Sequence, residues 1–94
     1  MHDILVVCDD RPGTYPGPTG HRGWYEAVYV DGLLREESGQ GFSASELGSM
    51  LASLGGVHTL PSRRISLEAV QAATGSAGVP RTLSELDALG AWRP

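Results

Sequence analysis

The chain has no lysine and no asparagine, and only one cysteine, one phenylalanine and two isoleucines in 94 residues. Without lysine, neither a Schiff-base mechanism nor a P-loop phosphate site can be built. All seven basic residues are arginine. Residues with AT-rich codons are depleted together, which points to a GC-rich bacterium or a phage of one. A single cysteine cannot close an internal disulfide. Cys8 ends the run Ile4-Leu-Val-Val-Cys8 and reads as a small, reduced core residue, since Asp9 and Asp10 beside it raise rather than lower a thiol pKa. That run of five is the longest apolar stretch, far short of the ~18 residues of a membrane span. Acids bracket it and no basic segment precedes it, so no secretory signal is expected. The expected location is cytoplasmic, in a bacterium or in the host cell of a phage. The net charge of −4, from 11 acids against 7 bases, is too weak for a DNA mimic and of the wrong sign for a typical nucleic-acid binder.

What is present reads as one small α+β domain over residues 1–94, with a sheet region at 1–38 and a helical region at 43–94. Ile4 to Cys8 predicts a buried strand. The next thirteen residues, Arg11 to Gly23, contain seven prolines and glycines. Regular structure is not expected there, and a connection well above the usual ~4–6 residues tends to be functional or mobile. Trp24 to Val30 predicts a second strand, with Tyr25, Ala27 and Tyr29 on one face and Glu26, Val28 and Val30 on the other. Asp31-Gly32 between apolar residues is a hairpin signal, placing Val30 opposite Leu33, Tyr29 opposite Leu34 and Val28 opposite Arg35. The returning strand, Leu33 to about Glu37, becomes charged at once, as a solvent-facing edge should.

Ser43 and Glu46 fit a capping box, and Leu47, Met50, Leu51 and Leu54 then recur at helical spacing before Gly55-Gly56. An amphipathic helix from about Ala44 to Leu54 is predicted. Val57 to Leu60 reads as a short extended piece. Ser66 caps a second helix from Leu67 to about Thr74, and Thr82 with Glu85 caps a third with a Leu83/Leu86/Leu89 stripe. The expected architecture is an antiparallel sheet of two to three strands covered by the first helix, with two short C-terminal helices on its far side.

Ile4 to Asp10 resembles the first strand of a response-regulator receiver, in which paired acids end the strand. The likeness stops after seven residues: no helix can follow in the Pro/Gly tract, and the lysine that family uses is missing. Metal binding has no supporting pattern, because His2, His21 and His58 are scattered and no HExxH or Cys/His spacing exists. Nine serines include no nucleophile-elbow pattern. No cofactor is implied, and the enzyme class is disfavoured. The Pro/Gly tract and its exit instead gather Tyr15, His21, Arg22, Trp24 and Tyr25, residue types that dominate protein-binding hot spots.

The expected function is therefore a non-enzymatic protein-binding module, of the kind an accessory protein or phage-encoded inhibitor represents, with another protein as partner. A homodimer is compatible with it. A first alternative is a nucleic-acid-associated regulator using Arg63, Arg64 and Arg81 around the C-terminal helical pair. The turn from Gly75 to Arg81 is too long for a helix-turn-helix, however, and Glu85 and Asp87 on the would-be recognition helix repel phosphate. A second alternative is a metal- or small-ligand-dependent activity at Asp9, Asp10 and His21.

Overall fold

The computed structural model describes residues 3–9, 25–39, 42–55, 61–76 and 78–93. Along the chain lie β1 (Ile4–Asp9), β2 (Glu26–Val30), β3 (Leu33–Ser38), α1 (Ala44–Ser53), β4 (Ser62–Ile65), α2 (Leu67–Thr74), α3 (Leu83–Ala88) and β5 (Trp92–Arg93). The fold is α+β, but the sheet corrects the expectation of two to three antiparallel strands. It has five, in the order β3-β2-β1-β4-β5, and it is mixed, because β4 runs parallel to β1 while the other pairs are antiparallel.

The two additional strands carry almost no pattern of their own. Ser62-Arg-Arg-Ile65 has one apolar residue in four, and Trp92-Arg93 is only two residues long. They are extended because β1 offers its free edge, pairing Val6 with Ser62 through Asp9 with Ile65, and β5 then adds to β4. The continuous apolar character of β1 follows from this central place: a strand covered on both faces has no polar side to alternate with. The extended piece expected at 57–60 falls outside the described residues, and the strand that is described starts after Pro61.

The hairpin forms at the expected turn. Asp31 and Gly32 both take positive φ, 53° and 81°, as a type I′ turn requires. Val30 meets Leu33 and Tyr29 meets Leu34, but Val28 then meets Glu36 rather than Arg35. A β-bulge absorbs Arg35 and shifts the expected register by one, a common device on an exposed edge strand.

Alternation along β1 and β2 divides the core into two layers. On one face α1 lays Met50, Leu47, Leu51 and Leu54 on Ile4, Val6 and Val28. Its capping box is complete: the Ser43 hydroxyl accepts from the Glu46 N–H and the Glu46 carboxylate accepts from the Ser43 N–H, each at 3.1 Å. On the other face Leu67 and Val70 of α2 and Leu86 of α3 pack with Val7, Ala27, Tyr29 and Ile65. Each large apolar side chain fully buried here is worth roughly 1.5–3 kcal/mol. α2 is capped by Ser66 and closed by Gly75 in the left-handed region. In α3, Glu85 accepts from the Thr82 hydroxyl at 2.9 Å, where a capping box would have it accept from backbone N–H.

Residues 78–93 act as a strap across the second face. The strap starts on the outer edge of β3, where the Leu34 N–H donates to the Arg81 carbonyl at 2.7 Å and the Leu83 N–H to the Gly32 carbonyl at 2.8 Å. It ends at the opposite edge, where the Ala91 carbonyl accepts from the Ser66 N–H at 2.9 Å and β5 joins β4. The backbone edge at the start of β3 is thus paired with the strap, while Leu33 itself and the charged residues after Leu34 stay exposed.

Candidate functional site

Of the five residues proposed for protein binding, Tyr15, His21, Arg22 and Trp24 lie outside the described residues. Tyr25 is half-buried against the α2/α3 layer, and its hydroxyl donates to the Glu37 carboxylate. Burial pushes this phenol well above its ordinary pKa. The bond to Glu37 and that carboxylate's charge add to the rise, while a bond from the Val79 backbone N–H opposes it. Tyr25 is a packed, anchored side chain.

The three arginines of the nucleic-acid alternative do not come together. Arg63 and Arg64 sit on β4, whereas Arg81 lies on the far side of the sheet, beside β3. For the metal alternative, Asp10 and His21 are outside the described residues. Asp9 is buried, and its carboxylate accepts from the Leu67 N–H at 3.2 Å, holding the first turn of α2. Among the described residues no group of three or more His, Cys, Asp or Glu side chains could hold a metal ion.

The structure does assemble a cluster at the β4–β5 edge. Alternation on β4 directs Arg63 and Ile65 to the α2/α3 face and Arg64 to the α1 face. Antiparallel pairing sets Trp92 opposite Ile65 and Arg93 opposite Arg64. The Arg63 guanidinium stacks 4.0 Å from the centroid of the Trp92 ring, a cation–π contact of about 0.5–1 kcal/mol at an exposed site. From the other side the Trp92 indole N–H donates to the Asp87 carboxylate of α3. Trp92 is therefore held between a cation on its face and an anion at its edge, and is itself half-buried.

On the α1 face a row crosses the sheet at the same level: Ser38, Glu26, Cys8, Arg64 and Arg93, one from each strand. The Cys8 thiol donates to the Arg63 carbonyl at 3.6 Å. Burial, then the charge of Glu26, push its pKa up, and Arg64 pulls it partly back. A thiol held in its neutral form is a poor nucleophile.

Arg93 and Trp92 were not among the residues singled out from sequence. Their signal was faint: an aromatic–arginine pair two residues after the helix stop at Gly90, with no periodicity to call it a strand. Arg63 and Arg64 were singled out only as basic side chains for a nucleic acid, not as part of a strand. Compared with known proteins, the chain matches no protein-family model, no curated protein and no solved structure. Among the described residues no helix is long and apolar enough to cross a membrane.

Proposed function

We propose that this chain is a small non-enzymatic protein-binding module, an accessory or phage-encoded regulator from a GC-rich source, that engages its partner through the β4–β5 edge. The observation that carries this is the clamped Trp92: Arg63 is stacked on its face and Asp87 bonded to its indole N–H. Tryptophan and arginine are the side chains most enriched where interface energy concentrates, and a ring fixed in advance loses little conformational freedom on binding.

Site-directed photo-crosslinking tests the assignment. A crosslinker placed at Arg93 should trap a partner from the source organism, and one placed at Ser84 on the outside of α3 should not. Replacing Trp92 by alanine or Arg63 by glutamine should abolish the adduct while the circular dichroism spectrum is kept. Equal trapping from both positions, or an adduct indifferent to both substitutions, would sink the proposal.

A further inference from the structure

We infer, resting on the protein-binding reading above, that residues 78–93 dock on the sheet as one cooperative unit, and that Trp92 meets Arg63 only while this strap is fastened at the far edge of the sheet. The cluster joins two bodies. Arg63 belongs to the sheet through β4, whereas Asp87 and Trp92 both belong to the strap, one beside the other end of the Gly90 turn from the other. The Asp87–Trp92 bond is therefore internal to the strap. The contact of Arg63 with the Trp92 ring is a seam between strap and sheet.

The fastening at the far edge is made residue by residue. The Tyr25 hydroxyl accepts from the Val79 N–H, and the Tyr29 hydroxyl donates to the Pro80 carbonyl at 2.6 Å. The Arg81 carbonyl accepts from the Leu34 N–H at 2.7 Å, and the Leu83 N–H donates to the Gly32 carbonyl at 2.8 Å. Val79, Pro80, Arg81 and Leu83 are thus each tied to Tyr25 or to the hairpin that follows it.

The two ends of the strap are rigidly joined. Thr82 caps α3 directly after the fastening, and only Leu89, Gly90 and Ala91 separate α3 from β5. The Asp87–Trp92 bond braces that corner, where Gly90 takes a φ of 65°. A six-residue helix and a two-residue strand do not persist once detached, so a half-released strap keeps no structure of its own. Val79, Leu86 and Ala91, buried along its length, leave the core together. Weakening one end therefore weakens the other, and a partner that binds Trp92 and Arg63 in contact favours the fastened state.

Two amides outside the strap report its two ends, because each donates to it: Leu34 to the Arg81 carbonyl and Ser66 to the Ala91 carbonyl. Native-state hydrogen exchange of the full chain should give both amides one common protection, below that of the β1–β2 ladder. Tyr29→Phe removes one bond of the far fastening and should quicken both by the same factor, about fivefold. Arg63→Gln, at the opposite end, should quicken both by a smaller common factor. Leu34 exchange quickened in Tyr29→Phe with Ser66 unchanged would reveal two independent ends and overturn the inference. A common protection equal to that of the ladder would overturn it too, since strap and sheet then open together. The measurement needs no partner. Unequal exchange removes the cooperative strap and leaves the crosslinking result intact, whereas an adduct indifferent to Trp92→Ala removes the binding edge and leaves exchange in unison standing.

Discussion

The buried carboxylate of Asp9 accepts a hydrogen bond from the backbone N–H of Leu67 at 3.2 Å, tying the end of the central strand to the start of α2. Leu67 is the first residue of that helix, and its N–H has no partner within the helix. The Ser66 hydroxyl accepts from a further first-turn donor, the Ala69 N–H, at 3.3 Å. Two caps from different parts of the chain thus hold an eight-residue helix that is too short to persist alone. Asp9, which the sequence offers as a strand-end acid or a metal ligand, has a structural task.

Asp9→Ala should destabilise the protein by about 1–3 kcal/mol, because a buried N–H loses its acceptor and the helix start loses a favourable anion. Asp9→Asn keeps an oxygen acceptor and should cost visibly less. Urea unfolding of the three proteins gives the order, and an alanine variant as stable as the parent would rule out the cap.

Gly78 and Glu37 make a second pair that can be checked. A Cβ on Gly78 would stand 2.5 Å from a Glu37 carboxylate oxygen, the same carboxylate that accepts from Tyr25. The side chain of Glu37 can swing away, so Gly78→Ala should not prevent folding. It should break the Tyr25 bond at a cost of about 1 kcal/mol. In a Glu37→Ala background the nearest atoms to the new methyl are gone and that cost should vanish. The expected coupling in this double-mutant cycle is about 0.5–1.5 kcal/mol, and strict additivity would contradict the contact.

Alkaline pH should act through the tyrosines. Burial, then the nearby Glu37 and Glu85 charges, push Tyr29 from 10.0 up to about 12, and its hydroxyl donates to the Pro80 carbonyl at 2.6 Å. A phenol whose folded pKa lies above its unfolded value binds its proton more tightly in the folded state. Its contribution is full below the unfolded value of 10.0 and is lost as pH rises toward about 12. Tyr25, raised further, extends the loss in the same direction. Stability measured by denaturant should therefore be level up to the unfolded tyrosine pKa and fall beyond it. Tyr29→Phe should shrink the fall, and an identical alkaline slope in that variant would show that Tyr29 is not responsible.

Local chemistry made the hairpin, the capping box of α1 and the extent of α2 legible in the sequence, because each is decided within a few residues. Asp31-Gly32 needs only its own φ preferences, and Ser43 with Glu46 needs only a spacing of three. The bulge at Arg35 was not legible, since nothing local distinguishes one charged edge residue from the next. β4 and β5 were missed for a related reason. The extended form of β4 is imposed by the free edge of β1, more than fifty residues away, and that of β5 by β4 in turn, and their arginines carry no strand preference. The candidate site depends on those two strands, so it became visible only when their pairing placed Arg63 beside Trp92 and Arg64 opposite Arg93. The strand-like run at Ile4 held one further clue: apolar on both faces, it already called for a layer on each side and a neighbour at each edge.

The strap from Gly78 to Arg93 links the core to that site, and Leu86 is its anchor. α3 has six residues, below what helix propensity sustains in water, so its position depends on packing. Leu86 is fully buried, among the residues of the α2/α3 face of the sheet. Leu86→Ala should cost about 2–5 kcal/mol through lost burial and the cavity left behind. Leu33, 61% exposed at the hairpin, should tolerate a change to serine within about 0.5 kcal/mol. A milder Leu86→Val change reveals more than stability. Loosening α3 frees Asp87 from Trp92 and slackens the segment whose Ala91 carbonyl holds the Ser66 N–H. Hydrogen exchange at the Ser66 amide should then quicken more than exchange within the β1–β2 ladder, where both strands remain covered by α1. Equal acceleration at both places would mean that the strap and the sheet open as one unit, and that the β4–β5 edge has no separate freedom to adjust to a partner.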